Sequence, residues 1–305
     1  MNPVNQTPYQ LPADATWLIT GCSSGIGRAI AEFIASKPNQ RLVATARNPS
    51  SLGYLSDSNT NILKLALDVA SPTSVENAFK AAAAHFGASF HIDVVVNNAG
   101  YSLAGDTEAA TEEETHNELE TNFFGTVRVT MAAVKVMRQH KEHRGGVIYN
   151  ISSIAGVCAF PGHAFYHAGK FAVEGWSESV AQEMHPDWNI NFCIVEPGAI
   201  KTNFEFSSMK HTKPHEAYAG EDMPARKMDA FVKEHLHAGV GVEPIAVARV
   251  LYHVADRGEK VPLHLPLTAT AIQLITMKLQ GRLEELETVK DLSAIDKGEP
   301  QFKLH

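Results

Sequence analysis

Residues 16–37 read TWLITGCSSGIGRAIAEFIASK, and this stretch determines the fold that the sequence predicts. A short apolar run at 16–20 leads directly into a glycine-rich turn, and a helical pattern of apolar residues follows. Gly21, Gly25 and Gly27 let the chain turn sharply and approach a diphosphate, whose charge a helix N-terminus favours. A turn with only a structural role is the alternative. The position of the turn between a strand and a helix favours the binding role.

Outside this stretch, short apolar and β-branched runs alternate with longer helical patterns. The predicted strands are 16–20, 41–46, 62–68, 93–98, 146–152, 191–197 and 261–266, and the predicted helices are 27–37, 71–87, 111–141 and 163–184. Most strand runs lack strict alternation, which is typical of strands that helices cover on both faces. The pattern predicts an α/β fold, a doubly wound parallel sheet of about seven strands joined by right-handed crossovers.

The sequence predicts one domain at 14–290, preceded by a flexible polar segment at 1–13 and followed by a tail at 291–305. Within the domain, 199–260 interrupts the alternation with aromatic residues, prolines and charges. We expect this part to form a helical insert over the strand ends, where open α/β sheets bind their ligands. A C-terminal helical extension is predicted at 267–290, where the pattern is amphipathic.

The composition excludes several classes of protein. The 305 residues carry a formal net charge of −8, with 44% hydrophobic and 20% charged residues, which is ordinary for a soluble globular protein. An acidic chain without a Lys/Arg cluster argues against nucleic-acid binding. No apolar run reaches the roughly 18 residues of a membrane span, and 1–13 lacks the apolar core of a signal peptide. We therefore expect a cytoplasmic protein without a membrane partner.

Neither a disulfide framework nor a metal site is expected. The chain has 3 cysteines, which are too few and too scattered for a framework: Cys22, Cys158 and Cys193. The 15 histidines are dispersed along the chain. His211 and His215 have the spacing of helical ligands, but Pro214 between them would interrupt that helix.

A second informative stretch, SSIAGVCAFPGHAFYHAGK, covers 152–170. Tyr166 and Lys170 are four residues apart, so on a helix they share a face. The pKa of a phenol is about 10, and a neighbouring ammonium lowers it towards the working range of an enzyme. Tyr166 could then exchange a proton with a carbonyl or alcohol oxygen, to which Ser153 would hydrogen-bond. The structural alternative is a surface tyrosine, a solvated lysine and a serine at a strand end.

Taken in order, these motifs resemble the short-chain dehydrogenase/reductase family of the ordinary one-domain type, over about residues 14–200. The chain is most similar to hydroxysteroid and retinol dehydrogenase-like members. One departure is Gly169, where Ser or Ala is usual. The motifs that carry the resemblance are TGCSSGIG at 20–27, NNAG at 97–100, Asn122 in ETNFFG, Ser153, Tyr166, Lys170, and Pro197-Gly198 with Thr202.

The resemblance implies a Rossmann-type fold and four catalytic residues. Tyr166 would act as the general acid/base, Lys170 would lower its pKa, and Ser153 would stabilise the substrate oxygen. Asn122 would hold a water that links Lys170 to solvent as a proton relay. The family commonly pairs the helices of 111–141 and 163–184 across subunits, which implies a homodimer or homotetramer.

The end of the second strand argues for NADP(H) as the cofactor. Ala46 stands where an NAD enzyme usually carries a carboxylate that binds the ribose hydroxyl. Arg47 follows and could pair bidentately with a 2′-phosphate, to which Ser24 could add a hydroxyl. The alternative is that Arg47 only faces water. The resemblance to the family implies that Asp68 accepts a hydrogen bond from the adenine amino group; a helix-capping role is the alternative.

The residues expected to bind NADP(H) are Gly21, Ser23, Ser24, Gly25, Ile26, Gly27, Arg47, Asp68, Val69, Asn98, Ala99, Gly100, Tyr166, Lys170, Pro197, Gly198, Ile200 and Thr202.

The substrate pocket is expected to be apolar. Such a lining suits a bulky, hydrophobic ketone or alcohol, cyclic compounds included. Core packing is the alternative for the aromatic residues, and His163 is either a polar contact to the substrate or an exposed loop residue. The candidates are Tyr101, Phe160, His163, Phe165, Phe204, Phe206 and Met209.

These expectations combine into an NADP(H)-dependent carbonyl reductase or alcohol dehydrogenase. It would transfer hydride between the nicotinamide and the carbonyl or secondary alcohol of a small hydrophobic molecule. A sugar-nucleotide epimerase is disfavoured because its glycine motif is usually spaced GxxGxxG. A non-catalytic NADP-binding sensor or scaffold is the alternative from another class. Such proteins tend to lose the reacting Tyr or Lys, and here both are present.

Overall fold

The computed structural model describes residues 4–87, 90–139, 144–202, 204, 208–237 and 240–293. The strands in this part are β1 (Thr16–Ile19), β2 (Arg41–Ala46), β3 (Ile62–Ala66), β4 (Val94–Asn97), β5 (Ser102–Ala104), β6 (Gly146–Ile151), β7 (Ile190–Pro197), β8 (Met209–His211) and β9 (His264–Leu267). The helices are α1 (Gly25–Ala35), α2 (Pro72–Phe86), α3 (Glu112–Leu119), α4 (Gly125–Gln139), α5 (Ala164–Glu183), α6 (Pro224–His237), α7 (Pro244–Asp256) and α8 (Ala269–Ser293).

The main sheet has seven parallel strands in the order β3-β2-β1-β4-β6-β7-β9. Each of the seven predicted strands corresponds to one of them, so the predicted doubly wound parallel sheet is confirmed. The strand order reverses between β1 and β4. This reversal opens a crevice beyond their carboxyl ends, the place where such sheets bind ligands.

Two apolar cores cover the two faces of the sheet, and the alternation of side chains along a strand divides β1 between them. Trp17 and Ile19 belong to the core that includes residues of α1 and α7. Leu18 belongs to the core that includes residues of α2, α4 and α5. All three side chains are fully buried. Both faces of these strands are covered, which explains why their sequences are continuous apolar runs.

Local sequence explains where the helices begin. The Oγ of Ser71 accepts a hydrogen bond from the N–H of Ser74 at 3.2 Å, and Pro72 occupies the first position of α2. The Oγ1 of Thr111 and the carboxylate of Glu114 form a capping box at the start of α3. The helix expected at 111–141 is interrupted, because a π-helical turn at Glu120–Phe124 separates α3 from α4.

Residues 4–13 differ from the flexible segment that we expected. Tyr9 and Leu11 are buried, and Tyr9 N–H donates to the carbonyl of Glu259 at 3.1 Å. Asn5 donates to the carbonyls of Phe192 and Val261, both at 2.8 Å. The two apolar side chains join the core beside α7, at the amino ends of the strands.

The region 199–260 also differs in part from the expected insert. The helix α7 packs against α1 and supplies Val247 and Leu251 to the core, so it belongs to a layer that covers the sheet. The part that differs from this layer arrangement lies before α7. There, β8 pairs with β5, and α6 follows. The expected tail begins inside α8, which extends to Ser293, and its remainder lies outside the described residues.

The three cysteines are free and buried. Among the helices described above, none is both long and apolar enough to cross a lipid bilayer.

Candidate active site

The glycine-rich turn lies at the switch point of the sheet. Gly21 and Gly25 have φ angles of +71° and +57°, in the left-handed region that glycine occupies without strain. Gly27 is fully packed, because a Cβ at this position would overlap Asn98 Nδ2 and Gly21 O. The turn therefore requires glycine at these three positions.

The NNAG stretch after β4 is joined to this turn by hydrogen bonds. Thr20 Oγ1 accepts the N–H groups of Asn98 and Ala99 at 2.9 and 3.0 Å, and Asn98 Nδ2 donates to Thr20 O at 3.0 Å. Asn97 has a different role. Its Nδ2 donates to Thr130 Oγ1 and Asn150 Oδ1, both at 2.8 Å, inside the core.

The start of α1 is suited to an anion. Ser24 occupies the N-cap position, and within the described residues its side chain makes no capping hydrogen bond. The first turn of the helix carries no acidic residue. Ile26 and Ser23 lie in the same turn, half-buried and exposed respectively. A helix N-terminus with uncapped N–H groups beside a glycine turn fits the diphosphate of a dinucleotide.

Thr202 lies against the glycine turn from the other side. A Cβ on Gly25 would be 3.5 Å from Thr202 Cβ, and Thr202 Oγ1 accepts the N–H of Phe204 at 3.2 Å. Gly198, after the buried Pro197, donates its N–H to Leu267 O at 2.9 Å. The turn after β1 and the segment after β7 thus form the two sides of one crevice.

Ile200 continues this segment. It forms a parallel bridge with Val242, next to hydrogen bonds from Lys201 N–H to Val242 O at 2.9 Å and from Val242 N–H to Ala199 O at 3.0 Å. The segment before α7 therefore holds the loop that carries Thr202.

Arg47 follows the last residue of β2 and is exposed. It makes no hydrogen bond or ion pair with the part of the chain that the structure describes. Burial raises the pKa of Tyr101 to about 12, Glu118 adds to the rise, and Arg47 opposes it. The guanidinium therefore acts electrostatically on the same crevice.

Asp68 and Val69 lie on the far side of the crevice, after β3. Asp68 is exposed, and its Oδ1 accepts the N–H of Ala70 at 3.0 Å. Ser71 caps α2, so the helix-capping role considered for Asp68 falls to a neighbour. Val69 is buried against Gly125, where an added Cβ would lie 2.6 Å from Val69 Cγ2.

Tyr166 and Lys170 are one turn apart on α5, as the spacing predicts. Lys170 Nζ lies 5.6 Å from the centroid of the Tyr166 ring and donates to the carbonyl of Ile151 at 2.7 Å. The lysine is 7% exposed. Burial lowers the pKa of Lys170 to about 8, while the nearby charges of Glu174 and Glu118 oppose the decrease.

Ser153 follows β6 by two residues, close to the carbonyl that binds Lys170. It is half-buried, and its Oγ accepts the N–H of Ala155 at 3.1 Å. The hydroxyl hydrogen stays available for another acceptor, because this bond uses an oxygen lone pair.

Asn122 occupies the π-helical turn and is 1% exposed. Its Oδ1 accepts the N–H of Tyr101 at 3.0 Å, and its Nδ2 donates to Tyr101 O at 2.7 Å. Gly100 fits closely here, since an added Cβ would lie 2.9 Å from Asn122 Oδ1. The Asn122 side chain thus fixes Tyr101, the first residue after NNAG, to the π-helical turn. π-helical turns are frequent at functional sites.

Sequence reasoning missed two buried residues beside this group. Glu118 is fully buried, its Oε1 accepts the N–H of Leu103 at 2.8 Å, and burial raises the pKa of its carboxyl to about 7. His167 Nε2 accepts the N–H of Phe160 at 2.9 Å, so its Nδ1 carries the proton and donates to Ala155 O at 2.8 Å. His167 therefore links α5 to the loop after Ser153.

Among the expected substrate-pocket residues, Phe204 is the one with a ring contact to Tyr166 in the described part of the chain. The Phe204 ring lies 6.1 Å from the Tyr166 ring, and Lys210 Nζ lies 4.4 Å over the ring of Tyr101. His163 Nδ1 is 3.3 Å from Ser102 Oγ, and burial lowers the pKa of this histidine. Of the remaining candidates, Phe160, Phe165 and Met209 are half-buried, whereas Phe206 lies outside the described residues.

Comparisons with known proteins agree with this geometry. A sequence model of the family described as short chain dehydrogenase matches residues 15–213. Oxidoreductase calM of Penicillium decumbens is 71% identical over 304 residues, which cover 100% of both chains. Retinol dehydrogenase 8 of Bos taurus is 33% identical, over 87% of this chain and 85% of that protein. The crystal structure of a short-chain dehydrogenase from Streptomyces avermitilis superposes with a TM-score of 0.80 at 31% identity, and covers 92% of this chain and 98% of that one.

Proteins of this fold bind a nicotinamide cofactor, NAD or NADP, and act on small molecules. The crevice described here has the parts that such a cofactor needs: a glycine turn, an uncapped helix start and a buried lysine beside a tyrosine. The chain belongs to the short-chain dehydrogenase/reductase family of oxidoreductases.

Proposed function

We propose that this oxidoreductase is an NADP(H)-dependent carbonyl reductase or alcohol dehydrogenase that acts on a hydrophobic ketone or secondary alcohol, cyclic substrates included. One observation carries the proposal. The buried ammonium of Lys170 lies 5.6 Å from the ring of Tyr166, beside the strand end that leads to Ser153. A phenol, an ammonium and a hydroxyl around one oxygen suit proton transfer to and from a carbonyl.

Tyr166 is the proposed general acid/base. A free phenol ionises near pH 10, and an adjacent ammonium favours its ionised form. The proton passes from the Tyr166 hydroxyl to the carbonyl oxygen in reduction, and from the alcohol to the phenolate in oxidation. A bound nicotinamide supplies or accepts the hydride. Lys170 is held in place by the carbonyl of Ile151, so its charge stays beside the phenol.

Ser153 is the proposed donor to the substrate oxygen. Its Oγ already accepts the N–H of Ala155, so its own hydrogen can stabilise the negative charge that develops on that oxygen. We assign Asn122 to the proton relay that leads from Lys170 towards solvent. Its side chain is hydrogen-bonded to the main chain of Tyr101, so we expect its contribution to come from the shape of the π-helical turn.

Arg47 supports NADP(H) as the cofactor. Its exposed guanidinium stands after β2 without a partner in the described part of the chain, and Ala46 in front of it carries no charge. An arginine in that place favours a 2′-phosphate, whereas a carboxylate would repel it. Gly21, Gly25, Gly27 and Thr202 are the proposed contacts to the diphosphate.

Aromatic neighbours of Tyr166 support a hydrophobic substrate. The ring of Phe204 lies 6.1 Å from the ring of Tyr166, and Tyr101 is hydrogen-bonded to Asn122 after the NNAG stretch. A lining of this kind with a few polar groups is typical of sites for apolar small molecules.

We further propose a cytoplasmic homodimer or homotetramer. Phe124, Met131 and Phe171 are large apolar residues that are about half exposed, and they lie on the elements that the family pairs between subunits.

The decisive experiment is the oxidation of NADPH in the presence of a panel of hydrophobic ketones, followed by absorbance. We expect turnover by the natural sequence, and a loss of at least about 100-fold in Tyr166→Phe, which keeps the ring but removes the acid. Tyr252→Phe is the matched control, because Tyr252 packs beside Trp17, remote from Lys170. Full activity of Tyr166→Phe would contradict the mechanism. Binding of NADPH without consumption of any ketone would favour the non-catalytic sensor.

A further inference from the structure

Three acid–base side chains that are far apart in the sequence meet between α5 and the strands β7 and β9. Glu174 comes from α5, Glu196 from β7 and His264 from β9, and one ligand atom of each lies within 4.8 Å of the others. His264 Nδ1 is 2.9 Å from Glu196 Oε1 and 3.7 Å from Glu174 Oε2. This group, Glu174, Glu196 and His264, is called the rear cluster below.

Burial makes the rear cluster unusual. The side chains of Glu174 and Glu196 are 8% and 3% exposed. Both carboxylate oxygens of Glu174 are buried, and their hydrogen-bonding neighbour is the neutral hydroxyl of Ser152. Two carboxylates removed from water side by side repel each other and lose their hydration, which is costly without a compensating cation. A hydroxyl carries no charge, so the two buried carboxylates require a cation: either a protonated His264, whose Nδ1 is 3.7 Å from Glu174 Oε2, or a bound ion.

A third carboxylate lies on the other side of the imidazole. Glu178 Oε1 lies 3.6 Å from His264 Nε2, on the other side of the ring from Nδ1. Without an ion, His264 Nδ1 is hydrogen-bonded to Glu196 Oε1; loss of the Nδ1 proton on metal binding would direct its lone pair to Glu196 and Glu174, with the remaining N–H on Nε2 towards Glu178. Histidines that bind metals typically direct their second N–H to a carboxylate in this way. His264 is 43% exposed, so an ion can reach the cluster from solvent.

We propose that Glu174, Glu196 and His264 form a binding site for a divalent transition-metal ion, with Zn²⁺ as the best match. Zn²⁺ is commonly bound by imidazole nitrogen together with carboxylate oxygen. Tetrahedral metal–ligand bonds of about 2.0–2.2 Å place neighbouring ligand atoms about 3.3–3.6 Å apart. His264 Nδ1 is 2.9 Å from Glu196 Oε1 and 3.7 Å from Glu174 Oε2, so its two separations lie on either side of this range. The exposed side of His264 leaves the remaining coordination position to water.

The position of the site gives it a structural role. A bound ion joins three elements. These are α5, which carries Lys170, β7, which ends at Pro197, and β9, which precedes α8. Glu174 is also one helical turn after Lys170. A cation on Glu174 therefore changes the electrostatic field at the candidate catalytic lysine, although binding itself does not depend on the proposed function.

The test is calorimetric titration of the full chain with ZnCl₂, after treatment with a chelator and removal of that chelator. We expect one ion per chain with a dissociation constant in the micromolar range or below, and a higher melting temperature when Zn²⁺ is added. Glu174→Gln and His264→Ala should each weaken binding by more than about 100-fold, and Glu178→Gln by about 10- to 100-fold. His185→Ala is the control, because the ring of His185 is also near one carboxylate, Asp187, at 3.6 Å.

Circular dichroism of each metal-free variant establishes that it is folded. Cadmium NMR of the unsubstituted protein reports the nitrogen and oxygen ligands without any variant, so the proposal stays testable if a variant does not fold. Absence of binding at one ion per chain, or unchanged binding in a folded His264→Ala, would overturn the proposal. A protonated His264 that retains both ring protons in the presence of Zn²⁺ would also overturn it, and would identify the cluster as an ion pair.

Discussion

Arg47 is the residue through which the cofactor preference is most directly tested. We predict that Arg47→Ala raises the Michaelis constant for NADPH by about 10- to 100-fold, because charge-assisted bonds to a phosphate contribute about 1.5–3 kcal/mol. The constant for NADH should change little. Steady-state kinetics with both cofactors measure the ratio, and Arg257→Ala, on the amino side of the sheet, is the control. Equal effects on both cofactors would remove the argument for NADP(H).

At this scale the sequence predicts the residues whose roles depend on local spacing. Tyr166 and Lys170 share a face because they are four apart on a helix, and the structure places them together. Glu118 and His167 were missed because their importance depends on tertiary neighbours. Glu118 is four residues before Asn122, so helical spacing could have suggested it, whereas His167 directly follows Tyr166 and has no such signal. Nothing local indicates that either residue is buried.

The turn between β1 and α1 is the element that we expect to tolerate change least. In Gly27→Ala the new methyl group would meet the backbone of Gly21, which cannot move as a flexible side chain can. We predict a loss of about 1–3 kcal/mol in the free energy of unfolding and weaker binding of NADPH. Urea denaturation and a fluorescence titration with NADPH measure the two effects.

The matched control for this prediction is Gly175→Ala. Gly175 lies within α5 and is exposed, and no atom outside its own helix backbone lies within 4 Å of a Cβ added there. We expect this variant to be more stable by up to about 1 kcal/mol, because alanine favours the helix over glycine. If Gly27→Ala were as harmless as Gly175→Ala, the close packing of the turn would not be a requirement.

Predictions for whole elements succeeded where periodicity is strong and failed where packing decides. The seven strands follow from apolar runs, and α2 follows from its cap. The sequence did not predict the π-helical turn, because it interrupts a helical pattern that looks continuous. It also assigned α7 to an insert, since an amphipathic pattern identifies a helix but not the layer that it joins. Tyr9 and Leu11 are isolated apolar residues that belong to no periodic pattern. The local sequence therefore does not indicate that they are buried.

For the molecule as a whole, Glu118 makes stability depend on pH. Burial raises the pKa of Glu118 from 4.5 to about 7, so between these values the folded protein keeps a proton that the unfolded chain releases. The free energy of unfolding therefore falls as pH rises through this window, and the loss is complete above it. Glu118→Gln keeps an acceptor for the N–H of Leu103 but cannot ionise. We predict that its advantage over the natural sequence grows with pH, up to about 3 kcal/mol.

Urea denaturation of both proteins, from about pH 5 to about pH 8, measures this difference. Glu174 is present in both proteins, so its own titration largely cancels in the comparison. A difference that does not change with pH would mean that Glu118 is already ionised at the lower end of the range.

The docking of residues 4–13 at the amino ends of the strands has a practical consequence for handling the protein. The crevice opens at the opposite edge of the sheet, so an affinity tag, a fusion partner or a solid support attached ahead of residue 4 would leave the opening directed away from the attachment. Cutting such a tag inside the docked stretch would instead remove Tyr9 from the core, and an expression vector should keep that stretch whole.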